Sequence, residues 1–398
     1  MTNSAGEAES IKMEEGQTVR EALDSRGGRL RILHLILRAG PTNGQYNEHC
    51  LPMAAERAIG ICTYFKTPEP PPPTIRLFDG DGSLPGFFRA LRAALRAGEY
   101  DVIHAHAPQS GVLLMAGSLL AGRLPSVRRR SVYTVQNSYQ NYKLRNRLLM
   151  YPVFPFFRRV VLCSRAVLDS LPPLLRWLGG GRMRVVQNAV DIARVDRAMA
   201  RGSRSARDGV FRVVSVGRLI PIKNPLMLLE AFRSIDDPAS ELVYVGDGDL
   251  KQTLAAESER LGLAGRVRLT GLVGRDEVFE HVGRADLFVS VSRGEGLPVA
   301  VIEAMACGTP AVLSDIPPHR EIAEGIDFVP LLDPDDIAGF VREIGRFRRM
   351  ARAARQELGR RCRQLIEERF GLRRMHERLA AVYAELPRTV VTEPRPGP

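Results

Sequence analysis

Short runs rich in valine, isoleucine and leucine alternate with longer helical stretches through both halves of the chain, and that alternation leaves few possible architectures. Strands separated by helix-length segments pair in parallel, and a parallel sheet must cover both of its faces. The expected class is therefore α/β. Candidate strands in the first half are Leu30 to Leu37, Thr74 to Phe78, Asp101 to His104, Ser131 to Val135 and Arg159 to Cys163. At 398 residues the chain exceeds one ordinary core, so two domains of roughly 100–200 residues each are expected. Residues 1–28 and 387–398 carry Pro, Gly, Ser and charges without apolar periodicity, and both are expected to be disordered. Arg201 to Gly209 reads as a solvated loop, and Pro70 to Pro73 as a stiff extended piece.

Between Asp286 and Pro310 a strand gives way to a helix, and two carboxylates, Glu295 and Glu303, stand eight positions apart across the change. Asp286-Leu-Phe-Val-Ser-Val-Ser292 is apolar and β-prone, whereas Val299, Ile302 and Ala306 recur at helical spacing. Glu303 then falls in the first turns of the helix and Glu295 on the loop that leads into it. A helix start offers amides without intrahelical acceptors and a positive dipole end, which suits phosphate. Carboxylates beside it suit the hydroxyl donors of a ribose or a sugar. Together these chemistries describe a nucleotide sugar. Acidic residues also stabilise helix starts with no ligand involved, and that reading stays open for either carboxylate taken alone.

Val213-Val-Ser-Val-Gly217-Arg218-Leu-Ile-Pro-Ile-Lys223-Asn224-Pro225 repeats the pattern of buried strand, glycine turn and helix. Asn224 reads as the N-cap and Pro225 as the first helical residue. Arg218 and Lys223 flank that helix start, where two cations and free amides can hold a diphosphate and stabilise its charge as a glycosidic bond breaks. Simple solvation of two surface cations is the alternative.

Glu295-Gly-Leu-Pro with Glu303-Ala-Met-Ala-Cys-Gly308 resembles the E-x7-E motif of retaining glycosyltransferases, and the chain is similar to glycosyltransferase family 4 on the GT-B fold. The Gly217 to Asn224 segment is similar to the family's G-R-x3–4-K-(G/N) signature. Val245-Gly-Asp-Gly248, Arg266 to Gly274 and Ala285 to Ser292 continue the resemblance, which runs roughly from residue 30 to 386. It implies an α/β GT-B architecture of two Rossmann-like domains facing across a cleft. Residues 29–186 would bind the acceptor and 187–370 the nucleotide sugar, with a terminal helix over 371–386 crossing back to the N-terminal domain. Met375, Leu379, Val382, Tyr383 and Leu386 form the apolar stripe of that helix.

The same resemblance implies retaining transfer of a sugar from a nucleotide-diphosphate donor, with a UDP-sugar favoured, to an unidentified acceptor. Arg218 and Lys223 would stabilise the departing diphosphate, and Glu295 would orient the donor-sugar hydroxyls. Glu303 would meet the ribose hydroxyls, the backbone of Gly296, Leu297, Pro298 and Val299 would follow the sugar and phosphates, and Gly217 would form the phosphate turn. Leu272 and Val273 would lie near the base. No protein nucleophile is implied, since in this family the leaving diphosphate itself takes the acceptor's proton. Gly246 and Gly248 read equally well as tight βα turns with no further role.

The first half departs from the family in three places. Gly44 stands in a loop, Arg38 to Glu48, where the family usually carries G-G-x-E, with Asn43 and Gln45 as its neighbours. Val132-Tyr-Thr-Val-Gln136 places a glutamine where many relatives have a histidine; Gln136 can hydrogen-bond a hydroxyl but cannot take its proton. Gln187 and Ala189 replace the proline and glycine of the interdomain turn P-N-G-V-D. His106, in Glu99-Tyr-Asp-Val-Ile-His104-Ala-His106, ends a strand that resembles the family's D-V-V-H-x-H and is a candidate lining of the cleft. Satisfaction of local backbone groups is its plain alternative.

Five cysteines, at 50, 62, 163, 307 and 362, form no C-x-x-C pair and follow no secretion signal, so a reduced cytoplasmic thiol set is expected. His104 and His106 make the nearest approach to metal-ligand spacing, and we expect no metal and no other cofactor, the nucleotide sugar being a substrate. The net charge is +12. It raises nucleic acid and anionic membrane as partners, and no nucleic-acid module is recognisable. Two stretches have the basic amphipathic pattern of a membrane interface: Phe87, Phe88, Leu91 and Leu95 with Arg89, Arg92 and Arg96, and Tyr142 to Arg159. The first reads better as a helix packing its Phe/Leu side on a sheet with a solvated arginine face, and for the second both readings stay open. No run reaches the ~18 apolar residues of a spanning helix, so any membrane contact would be peripheral, at the inner face. Two other classes stay open: a GT-B nucleotide-sugar epimerase, and a non-catalytic nucleotide-sugar-binding partner of a transferase.

Overall fold

The computed structural model describes residues 29–40, 43–201 and 209–387. The expectations for the two tails and for most of the loop after Arg201 lie outside these residues. Among the described residues thirteen strands form two sheets in which every strand pairing is parallel. The first contains β1 (Arg31–Ile36), β2 (Ala58–Thr63), β3 (Ile75–Phe78), β4 (Val102–Ala105), β5 (Ser131–Val135), β6 (Arg159–Leu162) and β7 (Met183–Val185), in the order β3-β2-β1-β4-β5-β6-β7. The second contains β8 (Phe211–Val216), β9 (Ser240–Val245), β10 (Val267–Leu269), β11 (Leu287–Ser290), β12 (Ala311–Ser314) and β13 (Leu331–Leu332), in the order β10-β9-β8-β11-β12-β13. Both are Rossmann-like, as the alternation required.

The chain divides into two compact units, one made of residues 1–163, 170–186 and 375–398 and the other of 164–169 and 187–374. The second unit runs to Arg374 where a boundary at 370/371 was expected, and the cut expected at 186/187 is joined by one short earlier segment, Ser164 to Asp169, that belongs to the second unit. The place of that segment has a local cause: Glu321 accepts from the backbone N–H of Arg165 (3.1 Å) and of Ala166 (2.9 Å), tying the start of the Arg165–Ser170 helix to the second unit.

Sequence pattern accounts for the layers. In the second unit, Phe340, Ile344 and Phe347 recur on one face of the helix Ile337–Arg349 and are fully buried with Phe232, Leu242, Tyr244, Leu287 and Val289. Asp336 caps that helix, accepting from the Gly339 N–H at 2.8 Å. In the first unit, the helix Leu84–Arg96 buries Phe87, Leu91 and Leu95 and leaves Arg89, Arg92 and Arg96 exposed. Its apolar stripe is therefore core, which removes this helix as a membrane-interface element. The terminal helix Leu372–Ala384 buries Met375, Leu379, Val382 and Tyr383 within the first unit. Glu385, just beyond it, accepts from Arg159 Nε at 2.6 Å and Arg184 Nε at 2.9 Å, at the starts of β6 and β7.

Candidate active site

In each sheet two central neighbours mark the point where the strand order reverses, β1/β4 in the first and β8/β11 in the second. Ligands of open α/β sheets bind outside the carboxyl ends of strands at such switch points. The Gly217 to Lys223 loop leaves β8, and the Ser292 to Pro298 loop leaves β11, so both motif loops flank the switch point of the second unit. Gly217, Arg218 and Lys223 line one recess with Ser290, Val291 and Ser292.

The β8 loop is held by backbone close approach. Gly217 N–H donates to Val245 O (3.0 Å) and Leu219 N–H to Asp247 O (2.9 Å). A Cβ on Gly246, whose φ is 143°, would lie 2.0 Å from Gly217 O, and one on Gly248 would lie 2.6 Å from Leu219 O. These glycines therefore do more than make tight turns: they let the Gly217 loop pack onto the next strand's exit. Asn224 occupies the N-cap position in a left-handed conformation, φ 55°, but its side chain makes no cap. It donates instead to Pro334 O at 2.9 Å, which corrects the capping role expected for it. Pro225 is the first helical residue, as expected.

Lys223 and Glu295 form an ion pair. Glu295 is buried and also accepts from Ser292 Oγ at 2.8 Å. Beneath them lies a residue the sequence gave no reason to select, His319. Its Nδ1 meets Ser314 O at 2.7 Å and so carries the proton, leaving Nε2 to face Ser290 Oγ at 3.5 Å. Burial lowers its pKa to about 4, outweighing the opposing pull of Glu295. The imidazole is thus neutral near pH 7. Ser314 Oγ donates to Ser292 O at 2.6 Å, so the chain that presents Glu295 is fixed from below. Arg218 is exposed and lines the same recess.

Glu303 lies in the second turn of the helix Val299–Ala306 and is buried, in an ion pair with Arg275, whose Nε reaches Glu303 Oε1 at 2.9 Å. Arg275 was not apparent in the sequence, because it opens a different helix, Arg275–Gly283. The loop before Val299 is anchored through its carbonyls: Gly296 O accepts from Ser164 Oγ (2.9 Å) and Leu297 O from Asn188 Nδ2 (3.0 Å). With the carbonyls held, the amides of Val299 and the residue after it, which have no intrahelical acceptor, remain for a ligand. Pro298 precedes the helix as its N-cap. Leu272 is exposed and Val273 half-buried on the loop after β10, which closes back on β9 through a Gly246–Gly271 bridge.

The remaining candidates belong to the first unit. His106 is buried against His34, with His34 Nδ1 and His106 Nε2 2.9 Å apart, and its ring lies 4.1 Å from that of His104. His49 joins the cluster, 5.1 Å from His106. Burial holds all four imidazoles neutral, His34 at about 3 and the others well below the ordinary histidine value, with the neighbouring rings adding to the effect. His34, His104 and His106 bring ring nitrogens within 4.8 Å of one another. Both nitrogens of His104 already have protein partners, Tyr383 OH (2.7 Å) and Thr134 Oγ1 (2.6 Å). Gln136 follows β5, half-buried, its N–H donating to Tyr142 OH at 3.1 Å. Gly44 lies over Glu48, whose carboxylate would be 3.5 Å from an added Cβ.

Two parallel-sheet Rossmann-like units, one carrying the paired motif loops at its switch point, define a GT-B glycosyltransferase. Residues 196–363 match the family described as Glycosyl transferases group 1, and residues 18–194 match Glycosyltransferase Family 4. The chain belongs to glycosyltransferase family 4. It is 27% identical to EpsD of Bacillus subtilis over 318 residues, 75% of this chain and 80% of that one. It is 25% identical over 271 residues, 65% of this chain and 68% of the other, to the Escherichia coli UDP-Gal:alpha-D-GlcNAc-diphosphoundecaprenol alpha-1,3-galactosyltransferase. Among solved structures it is similar to Anabaena HepE in complex with UDP and glucose (TM-score 0.71, 20% identity, 90% of this chain and 100% of that one). Among the described residues no helix is long and apolar enough to cross a membrane.

Proposed function

We propose that this glycosyltransferase moves a sugar from a UDP-sugar to a hydroxyl acceptor with retention of anomeric configuration. The observation that carries the reading is the Lys223–Glu295 ion pair at the switch point, next to the Gly217 loop and below Arg218. Arg218 and Lys223 take up charge as the bond between the anomeric carbon and the diphosphate oxygen breaks. The acceptor oxygen bonds to the same carbon on the same face, and its proton passes to the departing diphosphate. Glu295, fixed by Ser292, receives the sugar hydroxyls and keeps Lys223 in reach of the phosphates. Glu303 and Arg275 hold the ribose end, with the Val299 helix start toward the phosphates.

UDP is supported by the name of the Escherichia coli relative and by the UDP bound to HepE. The same relative's name supports a lipid diphosphate-linked sugar as acceptor class, bringing the enzyme to a membrane peripherally. No metal enters the reading, because His104 is saturated by protein partners. Neither an epimerase nor a non-catalytic binder gains support from the relatives.

A calorimetric panel of UDP, GDP, ADP and their sugar conjugates, run with and without EDTA, tests the proposal. Selective binding of one UDP-sugar, weakened in Glu295→Ala and unchanged by EDTA, is the expected result. Preference for GDP or ADP, or a requirement for a divalent ion, would overturn the donor or the metal-free reading respectively.

A further inference from the structure

Residues 102–190 contain thirteen Lys or Arg and a single carboxylate, Asp169. Within this stretch the helices Leu144–Phe156 and Pro173–Gly179 pack side by side. Tyr139 N–H donates to Ser170 Oγ (2.9 Å) near one end of the pair and Arg182 Nη1 to Pro155 O (2.9 Å) near the other, so the two run alongside in the same direction. Each buries one face, Met150, Val153 and Phe154 on the first and Leu175 on the second.

Their exposed sides combine large apolar side chains with Arg145 and Arg176. Leu144 and Leu148, one turn apart, are 70% and 58% exposed, and Leu174 and Trp177 on the neighbouring helix are 53% and 76% exposed. Four large apolar side chains left in water on adjacent helices need a partner. Lys143 and Arg145 are exposed at the start of the first helix. Where that helix ends, Arg129 and Arg158 rim a recess of about 750 Å³ backed by Phe156 and Phe157, whose lining also includes Glu385, a carboxylate already paired with Arg159 and Arg184. Arg128 and Arg182 are spent on the carbonyls of residues 155–157, which leaves Arg129 and Arg158 as the recess's available cations.

We propose that this face docks on an anionic lipid bilayer, with Leu144, Leu148, Leu174 and Trp177 entering the interfacial layer and Arg129 and Arg158 taking lipid phosphates. A tryptophan with aliphatic neighbours and a basic surround fits the boundary between acyl chains and headgroups. Nucleic acid would match the charge but not the exposed leucines. The face lies outside the donor site, so the assignment stands or falls separately from the donor.

Trp177 is the chain's sole tryptophan, so its emission reports on this face alone. The wild-type protein is mixed with phosphatidylcholine vesicles and with vesicles containing phosphatidylglycerol, and sedimentation and emission are followed together with UDP titration. The expected result is co-sedimentation and a blue shift with the anionic vesicles only. R129E/R158E should partition about tenfold less or weaker still, with UDP binding unchanged. No co-sedimentation with anionic vesicles, co-sedimentation with Trp177 emission unmoved, or tighter binding of a DNA duplex than of vesicles would overturn the proposal. The emission arm uses no variant, so it decides the matter even where the double substitution fails to fold.

Discussion

Lys223 has two partners, Glu295 in its ion pair and, in the proposed reaction, the diphosphate. Lys223→Ala should therefore depress kcat by about 100- to 1000-fold while changing donor affinity much less, as for loss of a group that acts on developing charge. Steady-state kinetics against direct donor binding measures the split, and equal losses in both would refute the role. Arg275 and Glu303 are both nearly buried, so removing one alone strands a charge. Arg275→Ala is expected to cost about 3–5 kcal/mol of stability, with a part restored in Arg275→Ala/Glu303→Ala. Glu303→Ala by itself should also weaken UDP by about 1–3 kcal/mol; calorimetry beside thermal unfolding separates the two effects. Glu303 was legible because a strand-to-helix change surrounds it. Arg275 was not, since its partner is set by the packing of two helices rather than by any local spacing. His319 was hidden for the same reason: its partners Ser290 and Ser314 belong to two adjacent strands.

At the scale of elements, alternation in the sequence was enough to order most strands, and the five proposed in the first half lie within a residue or so of β1, β3, β4, β5 and β6. β2 escaped because Gly60 interrupts its apolar run. The glycine leaves room for a neighbour, since a Cβ there would lie 3.0 Å from the Tyr100 hydroxyl and that ring would have to give by a few tenths of an ångström. Gly246 makes the complementary point in the second unit. Its glycine turn was read correctly as a βα junction, but the reason for glycine is a carbonyl from another loop, which no local pattern contains. Gly246→Ala should destabilise the protein by about 1–3 kcal/mol, combining strain at positive φ with the forced retreat of Gly217. It should also weaken donor binding, because Gly217 and Lys223 move together. An unchanged melting temperature and unchanged donor affinity would show the loop to be freely displaceable.

For the whole molecule, the four-histidine cluster sets a limit on acid tolerance. Each imidazole is held neutral in the folded chain, with a pKa below its unfolded value of about 6.5. The unfolded chain therefore binds more protons as pH falls, so stability is complete above about 6.5 and declines below it by up to roughly 1.4 kcal/mol per pH unit for each histidine. For His34 the decline continues down to its folded value of about 3. His49→Leu, which removes a ring whose Nδ1 has no partner, should reduce the slope of stability against pH between 6.5 and 5 by about one proton's worth. Chemical denaturation at several pH values reads that slope, and an unaltered slope would mean that His49 is protonated in the folded state.

The terminal helix gives this cluster its Tyr383 hydroxyl, although β1 and β4, which carry His34 and His104, are made hundreds of residues earlier. The chain passes between its two units four times, at 163/164, 169/170, 186/187 and 374/375. On a ribosome adding about 5–20 residues per second, the segment from 187 to 386 takes roughly 10–40 s to appear. Throughout that interval the nascent first unit waits with an open flank where Met375, Leu379, Val382 and Tyr383 will pack. The unit made first is thus finished last, and a ribosome that stalls within the final helix would release a chain whose second unit is complete and whose first is a client for chaperones.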